Sequence, residues 1–208
     1  DFSQCNARLW SDKLGQISLA STTLLWGAFG NIRLIVFPWA AAALGYTTAQ
    51  ASNLAGIVVI GSVAGAVIAS ATSKLDRAAN VLPLGIAVGF FLIGLNLIHN
   101  IWTAMPFLVL MGALCGYLIV PLNALLQHRG HVLLSPGRSI AVQGFNENAS
   151  VLAMLAVYAL LLKADLPIQQ VMVLYGLAIA GAIGALHWRE RRRPPAPSDS
   201  GRIGRVPP

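Results

Sequence analysis

Residues 17–44 have the sequence ISLASTTLLWGAFGNIRLIVFPWAAAAL, in which Arg33 is the only charged residue. A helix needs about 20 apolar residues to cross the ~30 Å hydrocarbon core of a bilayer, so a run of this length is typical of a membrane span. The rest of the chain is similar, since 56% of its 208 residues are hydrophobic and only 10% are charged. Soluble domains carry about 25% charged residues. The sequence therefore predicts an integral membrane protein and excludes a soluble domain.

Five further apolar segments follow the first one along the chain. Together they predict an all-α membrane protein with six spans, at about 17–44, 50–73, 79–98, 101–126, 138–163 and 167–188. These spans form one transmembrane half-bundle over residues 17–188. Residues 1–16 are expected to form an amphipathic cytoplasmic lead-in. Residues 189–208 form a basic, proline-rich cytoplasmic tail that is too polar to pack and is expected to be disordered.

Positively charged residues are distributed unequally between the two sides of this predicted topology. One side carries only Lys163, at its edge, whereas the other side carries Arg8, Lys13, Lys74, Arg77, Arg129, Arg138, Arg189, Arg191, Arg192, Arg193, Arg202 and Arg205. Cytoplasmic loops accumulate Lys and Arg, so both termini are expected to be cytoplasmic. Because these charges lie between spans, and not on one solvated face with interleaved aromatic residues, we expect no nucleic-acid partner.

Small residues recur four positions apart in several predicted spans. They are Gly61, Gly65 and Ala69; Gly85 and Gly89; Gly112 and Gly116; and Gly176, Ala180 and Gly184. This spacing lets helices approach each other closely in lipid. Two interpretations follow, namely tight packing within one bundle and a face for dimerisation.

Prolines occupy similar positions in the first and fourth predicted spans. Pro38 lies about twenty-one residues into the first span and Pro121 about twenty residues into the fourth. If the six spans are two triplets of opposite orientation, each triplet begins with a helix that proline interrupts late. Inverted repeats with interrupted helices at matched positions are typical of transporters. The pattern therefore predicts a 3+3 inverted repeat.

Arg33 is the most informative residue of the first span. About sixteen helical residues precede it, which places it roughly 24 Å from the cytoplasmic entry and close to the midplane of the bilayer. A guanidinium there costs at least about 2.5–3.5 kcal/mol, and its planar fork suits a phosphate or a carboxylate. Two interpretations remain open. Arg33 either binds an anionic group of a substrate or forms an internal ion pair that locks the fold.

Glu147 is the only acidic residue inside a predicted span. It lies in the polar run Gln143-Gly144-Phe145-Asn146-Glu147-Asn148. Gln143 and Glu147 are four residues apart and share a helix face, which Asn146 and Asn148 flank. The alternatives for Glu147 are a partner for Arg33, a proton or cation site, a hydrogen-bonding group for the substrate, and a purely structural polar contact.

Three more residues complete the candidate substrate-binding set. Asn31 is close to Arg33, Trp26 lies one to two turns before it, and Asn123 follows Pro121. For each, a contact between helices is the alternative role. The sequence contains no constellation typical of a catalytic, metal-binding or cofactor-binding site. We therefore expect a transporter that is not an enzyme and needs no cofactor.

The chain also resembles a known family in three stretches. They are Leu24 to Leu34 (LLWGAFGNIRL), Val120 to Gln127 (VPLNALLQ) with the following His128-Arg129-Gly130, and Ser139 to Ser150 (SIAVQGFNENAS). Through them the chain is similar to the bacterial lysophospholipid transporters of the major facilitator superfamily. The likeness extends over about residues 9–193 and implies the second six-helix half of a twelve-helix fold. The superfamily's loop signature is present only in eroded form, as Lys74-Leu75-Asp76-Arg77.

The resemblance implies a multi-pass protein of the bacterial inner membrane that flips lysophospholipids from the outer to the inner leaflet. Lysophosphatidylethanolamine and lysophosphatidylglycerol are implied substrates, and a cytoplasmic acyltransferase that reacylates them is an implied partner. Arg33 and Glu147 occupy matching positions of the family. The N-terminal half of the same transporter is a further implied partner, and the start at Asp1 leads us to expect a truncated or processed segment. The alternatives are a carrier for another small anionic or amphipathic solute and a membrane-docking module for an acyltransferase.

Overall fold

A computed structural model describes residues 2–73, 81–133 and 135–192 of the chain. The regular structure within these ranges is entirely helical. Its α-helices are α1 (Phe2–Ser11), α2 (Lys13–Leu44), α3 (Thr48–Thr72), α4 (Leu82–Gly94), α5 (Ile101–Leu133), α6 (Pro136–Lys163) and α7 (Ile168–Arg191), and a 3-10 turn at Leu95–Leu97 extends α4.

Five of these helices, α2, α3, α5, α6 and α7, are long and apolar enough to cross a membrane. They correspond to five of the six predicted spans and fit an all-α membrane protein. The third predicted span, 79–98, corresponds to the shorter apolar segment Leu82–Leu97, and residues 74–80, which include the loop signature, lie outside the described part. The crossing by α4 therefore stays a prediction. Most of the predicted tail, from residue 193 onward, also lies outside the described residues.

The first long helix begins at Lys13, before the predicted start of the span at residue 17. Its N-cap is Asp12, whose carboxylate accepts a hydrogen bond of 2.7 Å from the backbone N–H of Gly15. A capping carboxylate satisfies one of the free N–H groups of the first turn, which explains the early start. The helix ends at Leu44 and is capped by Gly45, whose φ of 66° is left-handed and therefore favours glycine.

The lead-in is itself helical over α1, and its apolar side packs onto the bundle. Cys5 and Leu9 are buried and form a small core with Leu19 of α2, Leu126 of α5 and Val142 of α6. The polar side of α1 is exposed, as the amphipathic pattern predicted. The lead-in thus covers one end of three long helices.

The contacts between helices define their relative directions. Gly61 and Gly65 of α3 lie against Val109 and Ala113 of α5, so these two helices run parallel. In the same way, Gly27 contacts Ser150 and the carbonyl of Leu34 accepts a hydrogen bond from the hydroxyl of Tyr158, so α2 and α6 are parallel.

The short helix α4 packs against α7 in the opposite sense. Gly85 lies against Ile183, whereas Gly89, one turn later, lies against Gly176. The two helices are therefore antiparallel. All three pairings agree with a chain that reverses direction at each successive helix, including α4.

The repeated small residues are used for packing within the chain. A Cβ at Gly65 would overlap the carbonyl of Ala113, and one at Gly116 would overlap the carbonyl of Ser62. Gly89 and Gly176 stand in the same relation to each other across α4 and α7. The interpretation as tight packing inside one bundle is therefore confirmed for these positions.

The two long helices with prolines in their interior, α2 and α5, continue through them. Pro38 lies inside α2, and Pro106 and Pro121 lie inside α5. The predicted interruption at Pro38 and Pro121 is therefore wrong, although the matched positions remain. Neighbouring helices in a bundle sustain a helix where proline removes one hydrogen bond. Trp39, beside Pro38, is fully buried and donates a 3.0 Å hydrogen bond to the carbonyl of Leu95, which holds α2 against the end of α4.

Candidate functional site

Gln143 is the centre of a polar cluster between α5 and α6. Its side-chain amide donates a hydrogen bond of 2.7 Å to the carboxylate of Glu147 and one of 3.1 Å to the side-chain oxygen of Asn123. All three residues are partly buried. The pairing of Gln143 with Glu147 follows from their i, i+4 spacing, whereas Asn123 joins them only because α5 packs beside α6. The structure thus brings together three of the predicted site residues.

Asn146 and Asn148 do not belong to this cluster. Asn146 donates hydrogen bonds to the carbonyl of Val142 and, at 3.0 Å, to the side-chain oxygen of Asn6 in α1. Asn148 is exposed and donates to the carbonyl of Gly144 in its own helix. Sequence reasoning missed Asn6, because nothing in the sequence shows that the lead-in folds back on the fifth predicted span. Asn146 therefore fastens the lead-in to the bundle.

Asn31 is buried where α2 packs against α6, with 1% of its surface exposed. Its side-chain amide donates hydrogen bonds to the carbonyl of Gly27 at 2.8 Å and to that of Val151 at 3.3 Å. Its side-chain oxygen, also buried, has no hydrogen-bond partner among the described residues. A buried acceptor without a partner costs about 1–3 kcal/mol. Asn31 thus links the two helices and keeps one acceptor free.

Trp26 lies on the other side of α2. Its side chain is 38% exposed and lines an apolar groove between α2, α3 and α5. Arg33 is part of α2, but its side chain lies outside the described part of the structure. By helix register, position 33 is on the same face as Trp26 and Gly30, seven and three residues before it.

The parallel packing of α2 and α6 fixes the relative heights of Arg33 and Glu147. The contacts of Gly27 with Ser150 and of Leu34 with Tyr158 place Glu147 level with about residue 24 of α2. Arg33 is about nine residues further along, which corresponds to about 13 Å along the helix axis. This offset favours separate roles for the two residues over a direct ion pair between them.

Replacing Gln143 by Leu is expected to destabilise the protein by about 1 kcal/mol. The change leaves Glu147 and Asn123 without their shared donor, and interhelical hydrogen bonds in membrane proteins contribute about 0.6 to 1.7 kcal/mol. The matched control is Asn148→Leu in the same helix, because Asn148 is exposed and bonds only within α6. Thermal unfolding in mild detergent measures both variants. Equal stability of the two would contradict a cluster centred on Gln143.

Known proteins resemble the chain along most of its length. It is 38% identical over 193 residues to the lysophospholipid transporter LplT of Enterobacter sp. (strain 638), which covers 92% of this chain and 48% of that protein. It is 40% identical over 163 residues to LplT of Pectobacterium carotovorum subsp. carotovorum (strain PC1), covering 78% of the chain and 40% of that protein. LplT of Escherichia coli O9:H4 (strain HS) is 37% identical over 186 residues, with 89% and 47% covered. The chain spans about half the length of the curated relatives it matches. No family model and no solved structure matches it.

Proposed function

Because the chain is a homologue of the lysophospholipid transporters LplT and spans about half of their length, we propose that it is one six-helix half of such a transporter. The observation that carries this proposal is the identity of 36–40% over most of the chain to proteins of that one name. A transporter of this kind moves its lipid without a chemical step, in keeping with the polar cluster and apolar groove of the described bundle.

The helix packing supports a 3+3 inverted repeat. In such a repeat, α2, α3 and α4 correspond to α5, α6 and α7, respectively. The contact between α2 and α6 then corresponds to the contact between α5 and α3, and the contact between α2 and α7 corresponds to the contact between α5 and α4. The α2–α5 and α4–α7 contacts map onto themselves. The parallel direction of α2 with α6 is likewise matched by that of α3 with α5. Such a symmetry is the pattern of repeats in secondary carriers. It requires that α4 also crosses the membrane, which makes six crossings in total.

In this proposal Arg33 binds the phosphate of the lysophospholipid headgroup. It is the only cationic residue within a predicted span, apart from Arg138 and Lys163 at the two edges of the fifth span, and a charge at that depth is typically functional. The cluster around Gln143, about 13 Å away along the helix axes, forms a second polar region that Glu147 makes acidic. An acidic group suits a proton, a cation or the donor groups of the headgroup.

The membrane and the direction of transport complete the proposal. The twelve Lys and Arg residues on one side of the topology support cytoplasmic termini in a bacterial inner membrane. Lysophospholipid then moves from the outer to the inner leaflet, where a cytoplasmic acyltransferase converts it to a diacyl lipid. The remaining half of the transporter supplies the facing wall of the transport path.

Translocation of labelled lysophosphatidylethanolamine in proteoliposomes tests the proposed function directly. The full-length protein that carries this sequence is expected to move the lipid between leaflets, whereas liposomes without protein serve as the control. Movement of a diacyl phospholipid is measured in parallel to exclude nonspecific lipid scrambling. If the protein inserts correctly and moves no lysolipid, the proposal is wrong, and a carrier for another small anionic or amphipathic solute accounts better for the same helices.

A further inference from the structure

The groove beside Trp26 has a volume of about 340 Å³, which is within the range of small-molecule sites. It is bounded by three helices, and its described lining consists of Trp26, Phe29, Gly30 and Ile32 of α2, Ala55, Val58, Val59 and Ser62 of α3, and Cys115 and Ile119 of α5. Ser62 is the only residue of this lining with a hydroxyl, amide or charged group. The groove is also open to the outside of the chain, since Trp26 and Val59 are 38% and 55% exposed.

This lining restricts what the groove can hold. A polar or charged solute would find few hydrogen-bonding groups besides the hydroxyl of Ser62 and the indole N–H of Trp26, and each polar group left unpaired costs several kcal/mol. A hydrocarbon chain has no hydrogen bonds to replace and gains close contact with the three helices. The chemistry of the groove therefore selects an aliphatic chain.

The groove also stands next to the proposed phosphate position. Its α2 wall runs from Trp26 to Ile32, and position 33 is the next one on the face that Trp26 and Gly30 share. A ligand with an anionic head at position 33 and an apolar tail along this wall matches both features. We propose that the groove between α2, α3 and α5 binds the acyl chain of the lysophospholipid while Arg33 binds its phosphate. This inference rests on the proposed function, because it divides one substrate between two parts of the site.

Filling the groove at Val59 tests the proposal. Val59 is 55% exposed, so Val59→Trp adds its bulk within the groove and leaves the buried core unchanged. The matched control is Val67→Trp, since Val67 is 62% exposed on the same helix and does not line the groove. Both variants of the full-length protein are assayed with palmitoyl and octanoyl lysophosphatidylethanolamine. Val59→Trp is expected to lower the preference for the palmitoyl lipid by about tenfold, the effect of excluding about two methylene groups from an apolar site.

The outcomes separate this inference from the proposed function. If wild type moves neither lipid, the proposed function itself fails. If wild type moves both and the two Trp variants behave alike, the transporter stands and the groove is not the chain site. If Val59→Trp lowers movement of both lipids equally while folding is preserved, the groove is occupied by something other than the chain, such as the facing half of the transporter, and the inference is again wrong.

A second measurement reads occupation of the groove from a thiol placed on its wall. Cys115 lines the groove but is buried, and a buried thiol reacts poorly. In the full-length protein with its other cysteines replaced, Cys5 and Cys115 included, Val59→Cys supplies a half-exposed thiol at the groove. Palmitoyl lysophosphatidylethanolamine is expected to slow alkylation of this thiol by N-ethylmaleimide several-fold more than the octanoyl lipid does. Equal rates with both lipids would contradict occupation of the groove by the chain, whether or not Val59→Trp folds.

Discussion

Replacing Arg33 by Ala is expected to reduce lysophospholipid translocation by about 10- to 100-fold without loss of membrane insertion. A hydrogen bond to a charged group contributes about 1.5–3 kcal/mol, and each 1.4 kcal/mol corresponds to a factor of ten. The variant removes the proposed phosphate ligand. Insertion should improve slightly, because a guanidinium within a span is costly. Initial rates in proteoliposomes, normalised to inserted protein, measure the effect.

Two further variants serve as controls for the Arg33→Ala result. Arg8→Ala removes the same charge from the exposed side of α1 and is expected to leave translocation unchanged. Arg33→Lys keeps the charge but loses the planar fork that binds phosphate through two parallel hydrogen bonds, so we expect an intermediate rate. If Arg33→Ala moves lipid as fast as wild type, Arg33 does not bind the headgroup. If the variant fails to insert, Arg33 instead has the structural role of an ion pair.

Gly65→Ala is expected to destabilise the bundle by about 1–3 kcal/mol, whereas Gly56→Ala in the same helix is expected to stabilise it by up to about 1 kcal/mol. Alanine is normally favoured over glycine inside a helix by this smaller amount. At Gly65 the added methyl group meets the backbone of Ala113, which cannot move aside as a side chain does, and overpacking of this kind costs about 1–3 kcal/mol. At Gly56 nothing lies within 4 Å.

The opposite signs of the two changes make this a sharp test. Thermal unfolding of the purified variants in mild detergent gives both values, and Gly116→Ala should behave like Gly65→Ala because it meets the carbonyl of Ser62. Should Gly65→Ala and Gly56→Ala stabilise the protein alike, the close contact between α3 and α5 would be refuted.

The sequence was most informative where one physical property dominates. Hydropathy alone predicted five of the long helices, because crossing a bilayer imposes a minimum apolar length. It could not place the start of α2, which depends on the cap at Asp12. The prolines at positions 38 and 121 led to the prediction of two interrupted helices, yet both helices continue through them. The sequence does not show the neighbouring helices that sustain a helix around proline.

The candidate site shows the same division between local and tertiary information. Helical spacing predicted that Gln143 and Glu147 share a helix face, and the two side chains are hydrogen-bonded to each other. Spacing could not join Asn123 to them, nor direct Asn146 toward Asn6, because both contacts depend on how separate helices pack. The apolar groove was missed for the same reason, since three helices line it and none of them carries a distinctive motif.

The interlocked glycines of α3 and α5 also restrict how the protein can move. Carbonyl groups of each helix lie against glycines of the other, at Gly61 and Gly65 and again at Gly112 and Gly116. A shift of one residue along the common axis would bring a Cβ against a carbonyl, so the two helices cannot slide past each other. They therefore behave as one rigid unit. If the proposed transporter alternates between inward-open and outward-open states, α3 and α5 are therefore expected to move together.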